Sequence, residues 1–280
     1  MRTVGWKMLA EAPGLLASLV IWSMVYALLP GWARSVALVA AALLAAASQS
    51  RVGERLLTGL AVGARRPSRA EQATLADGIT KLCEQRMGPP AIDVRVVRHP
   101  GWGVGAFGRR TLLVSREMII AVRRGTLNQE EVDALLVAGV GMLRSGIVCW
   151  DGLIAAATLP WLPVRTVFAG VVQVMAWLPL VGFAWRVRAV VIGIAIWQQG
   201  AEGQVGLAVS LAVLCAISYL APVASRRLSR TLLLVGDQFA STAGHTPGLA
   251  RFLRRFLGSD LAVERLHRLA PPAPHLSVVR

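Results

Sequence analysis

Histidine and cysteine are the side chains with which this chain could grip a metal or activate a nucleophile, and their spacing is unhelpful for either. The histidines are His99, His245, His267 and His275, and no two lie within one helical turn of each other. No helix therefore presents a pair of imidazoles to a single ion. Cys83, Cys149 and Cys215 form no C-x-x-C pair and read as small buried hydrophobes rather than as a disulfide framework or metal site. His99, before Pro100 at the end of a strand-like run, reads as a surface residue. The glycine-rich "PGWGVGAFGRR" does not match G-x-x-x-x-G-K-[ST], and no helix starts directly after it. It reads as a β-connection and not as a phosphate cradle.

One helix poses a sharper question. In "NQEEVDALLVAGVGMLRSG", Asn128 stands at a cap position with Glu131 three residues later. Val132, Leu135, Leu136, Val140, Leu143 and Ile147 then form an apolar stripe. Gly139 and Gly141 interrupt it, each at a cost of about 1 kcal/mol relative to alanine in a helix interior. A helix that carries two such residues needs a reason for them.

The surrounding elements are those of a membrane protein. Of 280 residues 55% are hydrophobic and only 16% charged, with a mean hydropathy of +0.57, too apolar for a soluble domain of this size. The net charge is +15, carried almost wholly by arginine, since Lys7 and Lys81 are the only lysines. The basic residues flank apolar runs, which points to topology and lipid head groups as partners and not to nucleic acid. Arginine-rich, lysine-poor, alanine-rich usage fits a bacterial chain from a GC-rich genome.

Residues 12–50 read as an uncleaved transmembrane hairpin turning at Pro30-Gly31, with 22 uncharged residues between Glu11 and Arg34. Residues 147–225 form a second apolar block of two to four spans. Its convincing spans are the 20 residues Thr166–Trp185 and the 23 residues Gly203–Ser225. "GLIAAATLPWLPV" and "AVVIGIAIWQQGA" are shorter. Arg2, Lys7 and the arginines from Arg51 onward flank the hairpin against a lone Arg34 at its tip. This places the N-terminus and the polar segments in the cytoplasm of a multi-pass bacterial membrane protein.

Two polar segments complete the chain. In 51–146, Ser68-x-x-Glu71 opens a helix, "DVRVVRH" and "TLLVS" read as short strands, and the 128–147 helix follows. In 226–280, a helix near 229–241 precedes "LARFLRRFL", amphipathic with Leu249, Phe252, Leu253 and Phe256 on one side. That helix suits either packing on its own domain or lying on a membrane surface. The tail "PPAPHLSVVR" reads as irregular.

The order of hairpin, Gly105-Ala106-Phe107, short strand, helix, further spans and a Ser229-Arg230…Asp237 helix resembles the HtpX-type integral-membrane zinc metallopeptidases, the family that includes the CAAX prenyl protease. The resemblance covers nearly the whole chain, most clearly 70–146 and 225–245. It implies a mainly α-helical polytopic membrane protein with a small cytoplasmic α+β metallopeptidase-like domain. Aligned on Glu131 and the two leucines, the family's first histidine falls on Ala138, its general-base glutamate on Gly139 and its second histidine on Met142. The third ligand falls on Val235, and Asp237 reads as a former second-sphere residue. Zinc, the family's cofactor, is therefore not expected.

What the resemblance implies is a peptidase relative without its chemistry. An extended peptide would add to an edge strand, for which Thr111, Leu112, Leu113, Val114 and Ser115 are the expected residues. Membrane-protein segments, peptides or an active paralogue would be its partners. Two rivals stand beside this reading: an active zinc peptidase with displaced ligands, and a transporter or channel component using Asp151 and Glu202.

Overall fold

The computed structural model describes residues 2–98, 103–175, 179–255 and 260–269. In chain order come α1 (Arg2–Leu28), α2 (Gly31–Ser48), α3 (Arg51–Val62) and α4 (Arg69–Glu84). The strands β1 (Asp93–Val97), β2 (Val104–Phe107) and β3 (Thr111–Ser115) lead into α5 (Arg116–Arg123) and α6 (Gln129–Arg144). Then follow α7 (Asp151–Ala157), α8 (Trp161–Met175), α9 (Pro179–Ala201) and α10 (Val205–Thr242). The last helices are α11 (Thr246–Arg255) and α12 (Asp260–Leu269). The chain divides into two compact units, residues 1–45 with 154–228, and residues 46–153 with 229–280.

The first unit is helical. Among the described residues, three helices are long and apolar enough to cross a membrane: Thr3–Leu28, Gly31–Ser48 and Val205–Thr242. They leave large apolar side chains uncovered, Leu28 at 85% and Trp32 at 75% exposure among them, which suits contact with lipid. The apolar block is cut differently from the expected spans. Within the run Thr166–Trp185, α8 is described as far as Met175 and α9 from Pro179. The expected 203–225 span and the 229–241 helix are one continuous helix, α10.

The second unit is built on a three-stranded sheet in the order β1-β3-β2. β1 runs parallel to β3, with Val94 beside Leu112 and Val96 beside Val114. β2 runs antiparallel to it, with Val104 beside Val114 and Ala106 beside Leu112. These six side chains share one face and enter the core against α6. On the other face lies α3, whose buried Glu54 accepts hydrogen bonds from the Thr111 N–H at 3.0 Å and the Thr111 hydroxyl at 2.8 Å.

This order corrects the expected edge strand. Thr111, Leu112, Leu113, Val114 and Ser115 form the central strand, paired on both sides, so their backbone cannot accept a further strand. The glycine-rich segment expected to be a connection supplies β2 instead, and that strand is an edge. Beyond β1 the opposite edge is occupied at one point, where Arg65 and Val96 exchange backbone hydrogen bonds, each 2.9 Å.

Arg65 is itself fixed by Glu71, whose two carboxylate oxygens take its guanidinium at 2.7 and 2.5 Å. Glu71 also closes the capping box of α4, accepting the Ser68 N–H at 2.7 Å while its own N–H donates to the Ser68 hydroxyl. Against α6 pack the helices α4 and α11. Leu249, Phe252 and Leu253 of α11 are buried against it, so this amphipathic helix packs on its own domain.

Glu71 gives the fold an acid-sensitive joint. The Arg65 hydrogen bonds, aided by those from Ser68, hold its carboxyl at about 2, against an ordinary 4.5. A carboxylate with a lowered folded-state pKa contributes stability that is complete above its unfolded value and lost as pH falls through the folded one. Unfolding midpoints measured from pH 6 downward are expected to fall between about pH 4.5 and about 2. Glu71→Gln is expected to start lower and to lose that part of the acid dependence.

Candidate functional site

Every residue of α6 from Glu131 to Leu143 is buried, so the helix is enclosed on all sides and not merely along a stripe. Its glycines mark the closest approaches. A Cβ on Gly139 would overlap Val104 Cγ1 of β2 and stand 2.7 Å from Leu112 Cδ1 of β3. A Cβ on Gly141 would stand 2.5 Å from Cβ of Phe239 in α10. From the other side, a Cβ on Gly236 would come within 2.7 Å of the Ala138 carbonyl oxygen and 3.1 Å of Met142 Cε. Three glycines thus let the sheet and α10 close onto one helix.

The position aligned with a general base is therefore filled by neighbours. Val104 and Leu112 occupy the space into which any side chain at residue 139 would project. Ala138 and Met142 face Gly236. Val235, aligned with the third metal ligand, lies instead along a separate cleft lined by Thr231, Leu234, Gln238 and Arg268. Asp237 borders that same cleft and is held by Arg265 of α12, whose Nε and Nη2 each donate to its carboxylate at 2.6 Å. Asp237 is buried and Arg265 partly so, and the two-pronged geometry ties α12 to α10.

Beside Met142 runs a groove of about 410 Å³. Its wall includes Val104 and Ala106, which point to the α6 face of the sheet, and Gly105 and Leu113, which lie on the α3 face. Val97 and Ser115, the last residues of β1 and β3, line it too, so the groove takes in that end of the sheet together with β2. Leu232 and Leu233 of α10 form the opposite wall. Within β2 the hydrogen-bonding direction alternates along the strand. Ser115 N–H donates to the Gly103 carbonyl at 3.1 Å, so Gly103, Gly105 and Phe107 are turned toward β3. Val104 and Ala106 consequently direct their N–H and C=O groups outward, along the groove.

Sequence reasoning missed this edge because two of the four residues of β2, Gly105 and Ala106, are poor strand formers. The signal that could have found it is the Gly108-Arg109-Arg110 turn, with Gly108 at φ +65°, joining two short apolar runs. His245 sits in the turn between α10 and α11, where its N–H donates to Ala240. His267 is in the last turn of α12. His99 and His275 lie outside the described residues, as do Phe256 and the tail. Among the described residues, no three His, Cys, Asp or Glu side chains converge to hold a metal ion. No family model, curated protein or solved structure matches the chain.

The packing of α6 is testable through its glycines. Gly139→Ala gains about 1 kcal/mol of helix propensity but must displace the β-branched Val104, an overpacking cost of about 1–3 kcal/mol. Net destabilisation is expected in denaturant unfolding. Gly59→Ala in α3, where a Cβ meets nothing nearer than the Ala64 carbonyl at 3.5 Å, is expected to stabilise by up to about 1 kcal/mol. Asp237→Asn, which strips the carboxylate charge from a pair whose arginine is partly buried, is expected to destabilise by about 1–3 kcal/mol in the same measurement.

Proposed function

We propose that this chain is a multi-pass membrane protein that binds extended peptide segments, a relative of the HtpX-type zinc peptidases that has kept a substrate-type groove and lost the catalytic residues. The observation that carries the reading is the groove along β2. It offers the outward backbone groups of Val104 and Ala106, and it is walled by Val62, Leu113, Met142, Leu232 and Leu233. An added strand would satisfy those backbone groups and set alternate side chains against apolar walls. Extended segments rich in apolar residues, such as unassembled membrane-protein segments, are the ligands this lining suits.

The family positions themselves argue for binding without cleavage. Alanine and valine offer no metal ligand, a lone thioether is a poor ligand for zinc, and glycine cannot accept a proton. The positive-inside pattern supports a groove facing the cytoplasm of a chain in the bacterial cytoplasmic membrane. There it would hold or shield client segments, or modulate an active relative that cleaves them.

The test uses the full chain in detergent or nanodiscs, with a photoreactive residue at Leu113 and a synthetic peptide of alternating apolar and polar residues. Saturable crosslinking is expected, weakened at least tenfold by Ala106→Pro. That change removes one outward N–H and leaves the bonds from Gly105 and Phe107 to β3 in place. The peptide is expected to stay intact whether or not zinc is added. Zinc-dependent cleavage would overturn the inactive reading, and crosslinking indifferent to Ala106→Pro would overturn strand addition.

A further inference from the structure

The hairpin that joins β2 to β3 ends in Arg109 and Arg110, and three sets of contacts hold that tip near the exit of an apolar helix. First, Gln49 and Ser50 are the whole connection between α2 and α3, and it is closed tightly. The Ser50 hydroxyl donates to the Ala47 carbonyl at 2.7 Å and accepts the Gly53 N–H at 3.0 Å. Second, glycines bring the chain against the last turn of α2. A Cβ on Gly53 would overlap the Ala47 carbonyl oxygen, and one on Gly152 would stand 2.9 Å from that of Ser48. Third, Glu54, one turn into α3, sits inside the hairpin turn. It accepts N–H bonds from Arg110 and Thr111, each 3.0 Å, and a Cβ on Gly108 would stand 2.6 Å from its Cδ.

The result is a basic rim beside the Gln49-Ser50 joint. Arg51 and Arg110 line one small cleft although the sequence keeps them far apart, and Arg109 is exposed next to them. Arg55 shares the cleft but is matched by Asp93 at 3.1 Å. Arg51, Arg109 and Arg110 have no carboxylate partner among the described residues, and Oε1 of Glu54, which lines the same cleft, is taken by backbone and hydroxyl donors. Arg51 comes three residues after Ser48, the end of an 18-residue apolar helix. If α2 crosses the bilayer, that is the depth of the phosphate groups.

We infer that Arg51, Arg109 and Arg110 form a docking site for the phosphates of anionic phospholipid head groups, which ties the tip of the β2–β3 hairpin to the membrane surface. The inference rests on α2 being a membrane span. Charge complementarity selects the ligand: guanidinium groups bind phosphate oxygens in pairs, and basic side chains near an anionic leaflet each gain about fivefold in association.

The experiment is amide hydrogen exchange on the full chain in nanodiscs, comparing pure phosphatidylcholine with discs in which phosphatidylglycerol replaces a third of it. Incorporation into both discs reports the spanning helices and is read separately. Exchange across residues 104–110 is expected to slow at least fivefold in the anionic discs. Arg109→Gln with Arg110→Gln is expected to abolish the difference, while Arg123→Gln with Arg124→Gln, the same charge change at the end of α5, is expected to preserve it. Unchanged protection in α6 certifies that each variant is folded. Equal exchange in the two lipids would overturn the site, as would an equal loss in the α5 variant. Slowing reproduced by glycerol phosphate in phosphatidylcholine discs would assign the arginines to a free anion and overturn the membrane docking.

Discussion

A helix enclosed on every side must meet a neighbour at each turn, and the distance to that neighbour is set by the smallest residue in the contact. In α6 this constraint governs the second unit. Leu136 and Asp133 face α4, where Gly78 admits them and Lys81 meets the aspartate at 2.6 Å. Gly139 admits β2 and β3, and Gly141 admits Phe239. The lost helix propensity, about 1 kcal/mol for each glycine, is offset by dispersion contacts that only a bare backbone permits. Charge at the helix start follows the same logic. Glu131 is fully buried, and its carboxylate takes the Asn128 N–H at 2.8 Å and Arg255 at 3.3 Å.

That constraint also changes how the glycines relate to an active site. Aligned with the peptidase family, Gly139 stands at a general base and appears as a deletion. In the structure it has a sufficient cause of its own, since β2 lies where a longer side chain would go. The two accounts are compatible only if β2 sits closer to α6 here than a glutamate would allow. The same comparison separates Val235 from Ala138 and Met142. Gly236 is the α10 residue that meets the latter two, while Val235 turns toward the cleft beside Asp237.

What was legible in the sequence is what local chemistry decides. The Ser68–Glu71 capping box, the start of α6 after Asn128, and the strands at Asp93–Val97 and Thr111–Ser115 each depend on residues close together in the chain. β2 was not legible, because Gly105 and Ala106 give no strand pattern and its pairing is fixed by β3. Missing it made β3 look like an edge when it is the centre of the sheet. The enclosure of α6 was hidden for a related reason. A stripe of leucines and valines predicts one buried face, but the burial of the others is imposed by the end of α10, at Gly236 and Phe239, and by α11, more than 90 residues away.

The hairpin between β2 and β3 joins the groove to the apolar helix through one carboxylate. Glu54 belongs to the helix that follows α2 by two residues, and its bonds to Arg110 and Thr111 fix the tip of the hairpin on which β2 is carried. β2 ends at Phe107, four residues before Thr111. A tight joint at Gln49-Ser50 and a buried anchor at Glu54 leave the strand little freedom to change its level relative to the end of α2.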